Sequence, residues 1–395
     1  MLVIKNSYLL TKTLLALYVF RFVVIAGSES YSVNYTFFGE LAVLGFLFDV
    51  ITRMNRISLS PLRIIVPYFM FILLLFVSMI WYPNGSGYMF DILTKYLLFF
   101  IGFFVIASTN NFDFLFYALI LGCCSIFVLG YDEIREYMLD PVNRRFTFNS
   151  MDEKGGINPN SLAFYCNLSI AFLIYKFRLI NKKYVRLGIL SLIGLFIFFI
   201  VYVTLSRKGI IGIGIMYMFF IASGKKVSVG FKISIILGSV VGIFFLLQYL
   251  QLPIINRFIS TINLFEGSQD IGQSDNERSL LIFESLKFWL DAPIFGNGIS
   301  HFENNSRLGV YTHINYGELL TNYGLVGLVL FYGPIIKKVR ALYRNYNHIS
   351  YEVKFFFFVS MFLLISDFAM VSYNNIVYLL ILAVILGYNF DLKGK

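Results

Sequence analysis

The sequence predicts an all-α, polytopic integral membrane helical bundle with about 12 transmembrane helices and a large extracytoplasmic loop. Three observations lead there. Hydrophobic residues make up 58% of the 395, and mean hydropathy is +0.76. Charged residues supply 14%, whereas a soluble domain carries about one quarter. Apolar runs of roughly 17–22 residues recur along the chain, the length a helix needs to cross a ~30 Å hydrocarbon core. A membrane β-barrel requires short alternating segments instead, and the sequence does not read that way.

The expected spans fall at about 8–26, 33–51, 62–81, 89–107, 112–130, 160–177, 186–205, 209–223, 231–250, 316–336, 353–371 and 374–390. The eighth and twelfth are short. The first follows a brief start, Met1 to Ser7, and lacks a small-x-small cleavage site, so it is read as a retained helix. The chain thus divides into N-terminal transmembrane helices (1–130), a first long outer loop (131–159), central transmembrane helices (160–250), a large outer loop (251–315) and C-terminal transmembrane helices (316–395). Within the large loop, Asn276 to Leu290 interleaves Leu280, Leu281, Phe283, Leu286 and Leu290 with Arg278, Glu284 and Lys287. That pattern suits an amphipathic helix at the outer membrane surface, stopped by Pro293 and the Gly296-Asn297-Gly298 turn. No internal repeat is found.

The net charge of +10 raises the question of nucleic acid, but the placement of the cations answers it. Arg53, Arg56 and Arg63, then Lys176 through Arg186, then Lys225, Lys226 and Lys232, then Lys337 through Lys354 occupy alternate short connections nearly free of acids. The positive-inside rule puts these connections, and both termini, in the cytoplasm. No nucleic-acid partner is expected. Cys123, Cys124 and Cys166 lie in apolar runs without metal-ligand spacing, so neither a disulfide framework nor a metal site is expected.

Four stretches on the outer side carry candidate chemistry. In Gly155-Gly156-Ile157-Asn158-Pro159-Asn160-Ser161, the Asn-Pro-Asn turn starts the sixth span, with Asn160 or Ser161 as N-cap; Asn158 is either part of that helix start or a ligand contact. In Ser206-Arg207-Lys208-Gly209, two adjacent cations sit at an outward hairpin against the charge bias. They either snorkel to headgroups or bind an anion. Arg278 opens the amphipathic helix, where the dipole disfavours a cation unless an anion lies beside it. The fourth stretch, Thr312-His313-Ile314-Asn315-Tyr316-Gly317-Glu318, puts one of only three histidines at the mouth of the tenth span. His313 either caps that helix or accepts a proton, imidazole having an unperturbed pKa near ~6.5, with Asn315 and Glu318 to orient it.

Taken in order, NPNxLA, SRKG, ERS…FWxxAPIFGxG and HxNxxELLxxYGLVG within such a chain resemble the bacterial O-antigen polymerase and ligase superfamily (Wzy-type polymerases), most strongly from about 155 to 330. The resemblance implies catalytic roles for Arg207, Arg278 and His313, with Lys208, Asn158, Asn315 and Glu318 as substrate-binding candidates. It implies a glycosyltransferase of the bacterial cytoplasmic membrane, with its site facing outward, that uses an undecaprenyl-pyrophosphate-linked oligosaccharide. Such a donor arrives activated, so neither cofactor nor metal is expected. Candidate partners are the lipid-linked substrates, membrane lipid, and the flippase and chain-length regulator of the same pathway. The leading expectation is a repeat-unit polymerase, with a ligase acting on a lipid A core or other surface acceptor as the alternative; both would use Arg207, Lys208 and Arg278 as a clamp for the diphosphate and His313 as the base. A lipid-linked oligosaccharide flippase or other transporter is the alternative from a different class; it calls for repeated halves and polar residues near the bilayer midplane.

Overall fold

In the computed structural model, residues 8–25, 32–52, 62–81, 86–131, 134–135, 159–223, 273–345 and 350–389 are described. They form α1 (Leu9–Ile25), α2 (Ser32–Ile51), α3 (Leu62–Trp81), α4 (Ser86–Thr109), α5 (Asp113–Leu129), α6 (Pro159–Leu179), α7 (Lys183–Phe198), α8 (Arg207–Ala222), α9 (Gln273–Asp291), α10 (His301–Asn305), α11 (Asn315–Arg344), α12 (Tyr351–Ser366) and α13 (Ile376–Gly387). No strand occurs among the described residues. Five helical stretches, Leu62–Ile80, Met89–Thr109, Pro159–Leu179, Lys183–Thr204 and Asn315–Arg344, are long and apolar enough to cross a membrane; Asp113–Leu129 and Ile376–Gly387 are apolar but shorter. The protein is an all-α polytopic membrane protein. The expected span at 231–250, nearly all of the loop at 131–159, and the loop residues 251–272 lie outside the described residues.

Polar contacts sort the helix ends into two sets. At one end, Lys176 pairs with Asp113, Arg178 donates to Ser223 and to the Phe220 carbonyl, Lys354 donates to the Ala222 carbonyl, and Lys338 donates to the Tyr388 carbonyl. This is the lysine- and arginine-rich end. At the other end, Ser206 meets Asn160, Lys208 meets the Ala369 carbonyl, Asn315 meets Asp367, and Lys95 meets Asn374. All the described candidate site residues gather there. Between the two ends the interior is aromatic: Tyr68 of α3 packs on Phe99 of α4 and Phe331 of α11, and its hydroxyl donates to the Phe331 carbonyl. Those contacts fix α11, which carries the site, against the rest of the bundle.

Three boundaries differ from expectation, each for a local reason. α11 runs on past 336 because Lys337, Lys338, Arg340 and Arg344 are good helix formers and suit the negative C-terminal end of the helix. α12 stops at Ser366 rather than continuing to 371. The chain leaves the helix so that the Ser372 and Tyr373 N–H groups can donate to Asn315 Oδ1 at 2.9 and 3.0 Å. α7 widens into a π-helical turn, Phe199–Thr204, before Leu205 takes a left-handed conformation and Ser206 caps α8 through the Gly209 N–H. Single π turns of this kind recur at functional sites.

α11 is broken within its apolar stretch. Gly324 has φ 62 and ψ −163, a region essentially open only to glycine. The segment after α9 fills the break: Leu325 and Val326 N–H groups donate to the Pro293 and Ile294 carbonyls, while Asn297 and Gly298 N–H groups donate to the Thr321 and Asn322 carbonyls. The backbones approach so closely that a Cβ on Gly324 would collide with the Ile294 carbonyl, and one on Gly296 with the Tyr323 N–H. Gly324→Ala should therefore lower stability by at least about 1–3 kcal/mol from backbone strain alone. The check is thermal unfolding of the purified variant in detergent, where an unchanged midpoint would refute the strained-break account.

Candidate active site

Local structure explains how each candidate is presented. Arg207 and Lys208 are the first two residues of α8, after a turn held by Leu205 at φ 44 and by the Ser206 hydroxyl, which donates to Asn160 Oδ1 at 2.8 Å. α6 begins with Pro159, so Asn160 lies inside its first turn. It serves as the acceptor for Ser206 rather than as the expected N-cap. Asn167, one turn and more along α6, donates to the Ala163 and Gly209 carbonyls and ties α6 to α8 beneath the cations. Asn158 lies outside the described residues.

Arg278 does not open its helix. α9 begins at Gln273, so Arg278 stands in the second turn, beyond the reach of the terminal dipole. The terminal dipole therefore gives no reason for an anion at Arg278, and what places Arg278 in the site is its neighbourhood. Its charge acts on Lys208 of α8 and on Tyr311. α9 is held to α11 by the Thr321 hydroxyl, which donates to the Ser285 carbonyl, and to the following loop by an Arg307–Glu284 ion pair at 3.0 Å.

His313 is half-buried, with φ 60 and its ring edge-on to Tyr311 at 4.3 Å between centroids. Residues other than glycine rarely adopt that φ; histidine is among those enriched there. The N-cap of α11 is Ile314, with no side-chain cap, so helix capping is not what places the histidine. Thr312 shapes the turn instead: its hydroxyl donates to the Ile314 carbonyl at 2.6 Å, and its N–H donates to Glu318 Oε2 at 2.9 Å.

Asn315 and Glu318 are buried, and their polar groups are engaged within the protein. Glu318 accepts from the Thr312 N–H and from Asn322 Nδ2. Asn315 donates to the Tyr332 hydroxyl at 2.7 Å and accepts from Ser372 and Tyr373. The two were expected to touch substrate. The structure places them behind the His313 turn, where they hold its shape, because a buried amide or carboxylate must be bonded internally.

Two contributors carried no clear sequence signal. Tyr311 packs on the His313 ring and lies within reach of the Arg278 charge. The segment 367–375, expected to be largely helical, instead offers the Ala369 carbonyl to Lys208 at 3.4 Å and the Asp367 carbonyl to the Asn315 N–H at 2.9 Å. Asp367 is buried; it accepts from Tyr332 and Tyr378 hydroxyls, and its charge acts on Lys208. The only hint was an acidic residue in an apolar run. His301, by contrast, packs edge-on against Phe288 of α9, and burial pushes its imidazole below the ordinary range while Asp291 pulls it back. His348 lies outside the described residues.

The arrangement groups the α8 cations with Arg278, Tyr311 and the imidazole at one end of the bundle. Residues 192–332 match the O-antigen ligase family (Wzy_C). The match covers less than half of the chain but includes Arg207, Lys208, Arg278, His313, Asn315 and Glu318; Asn158 and the 367–375 segment fall outside it. An O-antigen ligase domain is consistent with the O-antigen polymerase and ligase superfamily, and supports a glycosyl-transferring, polymerase- or ligase-type role in surface-glycan synthesis. No curated protein matched the chain.

Proposed function

We propose that this protein is a polymerase joining undecaprenyl-pyrophosphate-linked oligosaccharide repeat units into O-antigen, capsular or exopolysaccharide chains at the outer face of the bacterial cytoplasmic membrane. One observation carries the reading: an imidazole in a strained turn packs on Tyr311, and the Arg278 charge on α9 reaches both Tyr311 and Lys208 at the start of α8. In the reaction, the acceptor hydroxyl oxygen attacks the anomeric carbon of the donor glycan. The carbon–oxygen bond to pyrophosphate breaks, and its electron pair leaves with the polyprenyl pyrophosphate. His313 takes the hydroxyl proton, while Arg207, Lys208 and Arg278 meet the charge growing on the leaving group. Arginine suits that task because its planar fork binds phosphate oxygens in pairs. Asn315 and Glu318 act as positioning residues.

A ligase reading, in which the acceptor is a lipid A core or another surface acceptor, is favoured by the description of the matched family. Surface glycan from a deletion strain separates the two. Loss of a polymerase leaves single repeats attached to the surface acceptor, whereas loss of a ligase leaves long chains still on the lipid carrier.

The reading requires the site to face outward and the basic end to face the cytoplasm, with both termini there. In a chain freed of Cys123, Cys124 and Cys166, a cysteine at exposed Asn305 should react with an impermeant thiol reagent on intact cells, and one at exposed Arg344 only after lysis. The reverse pattern would put the site on the wrong side.

A further inference from the structure

α9 turns an apolar face outward. Phe283 is 71% exposed and Leu290 70%, with Ile282 and Leu286 beside them, and the following turn adds Ile294 at 57% and Phe295 at 55%. Such a patch on a protein surface has a partner. The opposite face is already satisfied, with Leu281 and Ser285 buried against the protein.

The backbone bonds across the α11 break set the height of this turn. Below the break at Gly324, α11 runs from Leu325 to Lys337, the first cation of its basic end, about 18 Å of helix at ~1.5 Å per residue. With Lys337 at one edge of a ~30 Å hydrocarbon core, Leu325 and Val326, which donate to Pro293 and Ile294, fall within that core. The exposed stripe of α11, Leu325, Val329 and Ile336, faces outward on the same helix, whose Leu325 and Val326 N–H groups bond directly to the turn at Pro293 and Ile294.

We propose that Pro293–Gly298 is a re-entrant turn within the membrane, and that the C-terminal half of α9 descends to it with Phe283, Leu290, Ile294 and Phe295 seated among bilayer acyl chains. Non-helical backbone survives at membrane depth only where protein satisfies it. Here the bonds from Leu325, Val326, Asn297 and Gly298, with the Gly296 N–H donating to the Ala292 carbonyl, do so. Exposed Lys287 on the flank reaches the headgroups by snorkelling. The large loop is thus not wholly extracytoplasmic: its helix is pinned to one leaflet, which holds Arg278 at a constant height.

The chain has two tryptophans, Trp81 and Trp289, so Trp81→Phe leaves a single reporter in α9. A second reporter is Phe295→Trp on a Trp81→Phe, Trp289→Phe background. Both would be placed in proteoliposomes of phosphatidylcholine brominated along its acyl chains. The proposal expects both emissions to be quenched by bromolipid and shielded from aqueous iodide, the residue-295 reporter more deeply. Quenching by iodide but not bromolipid would put the turn in water. Quenching by neither would put a second copy of the chain over it. Bromolipid quenching that appears only after polyprenyl phosphate is added would assign the face to a substrate tail. Any of these three results overturns the membrane seat.

Discussion

His313→Asn should leave polymer nearly undetectable at unchanged protein level, a loss of about 10²–10⁴-fold if the imidazole is the general base. Asparagine is the informative replacement. It tolerates the left-handed conformation that His313 holds at φ 60, so the turn, the Thr312 bonds and the start of α11 should survive. It also caps helices well, so a purely structural role would be preserved. What it cannot do is accept a proton near neutral pH. The same assignment has a pH signature: activity should fall as acid protonates the imidazole, because the base is then occupied. His301→Asn serves as the control, since His301 opens α10 and packs against Phe288 of α9. Polymer length on a gel decides: wild-type ladders from His313→Asn would return this residue to a structural role.

Arg278→Ala should cost about 10²–10³-fold in glycan transfer, the scale of losing one group that stabilises developing negative charge, and Arg207→Ala a similar factor. Arg278 belongs to α9, and Arg207 and Lys208 to α8, so the clamp closes between two elements that are far apart in the chain. Lysine at either arginine position should restore activity only in part, because a point charge replaces the paired donors of the fork. Arg307→Ala is the control. It removes only the solvent-exposed guanidinium of the pair, while Glu284 keeps the Arg307 N–H, so the effect should be mild. Full activity in Arg278→Ala, measured in membranes with equal protein, would sink the clamp.

Much of the fold was legible because hydrophobic length is a strong signal: the third span, expected at 62–81, is helix Leu62–Trp81. The interruptions were not. Gly324 reads as one more glycine in an apolar helix, and only the approach of the Pro293–Gly298 backbone shows why glycine is required. Asp367 reads as a charge near a span end, yet it ends α12 and braces the His313 turn from behind. For the site, His313 and the Arg207–Lys208 pair stood out because a rare histidine at a span mouth and two cations at an outward hairpin depart from the local composition, whereas Arg278 stood out for a helix-dipole reason that the start of α9 at Gln273 removes. The internal bonding of Asn315 and Glu318 was not legible, for a physical reason. A polar residue at a helix start looks the same in sequence whether it meets a ligand or a buried backbone group. Tyr311 gave no signal, since its nearness to the Arg278 charge depends on how α9 docks on α11.

The central claim is that glycosidic bonds form here at the expense of a polyprenyl-pyrophosphate linkage, and purified protein in proteoliposomes with a lipid-linked oligosaccharide tests it most directly. The measurement is released polyprenyl pyrophosphate against glycan chain length, with His313→Asn in parallel. The account predicts that wild type lengthens the glycan and releases one lipid pyrophosphate for each linkage formed, and that the variant does neither. Donor carried across the bilayer intact, with no new linkage and no released pyrophosphate, would contradict it and make the protein a transporter.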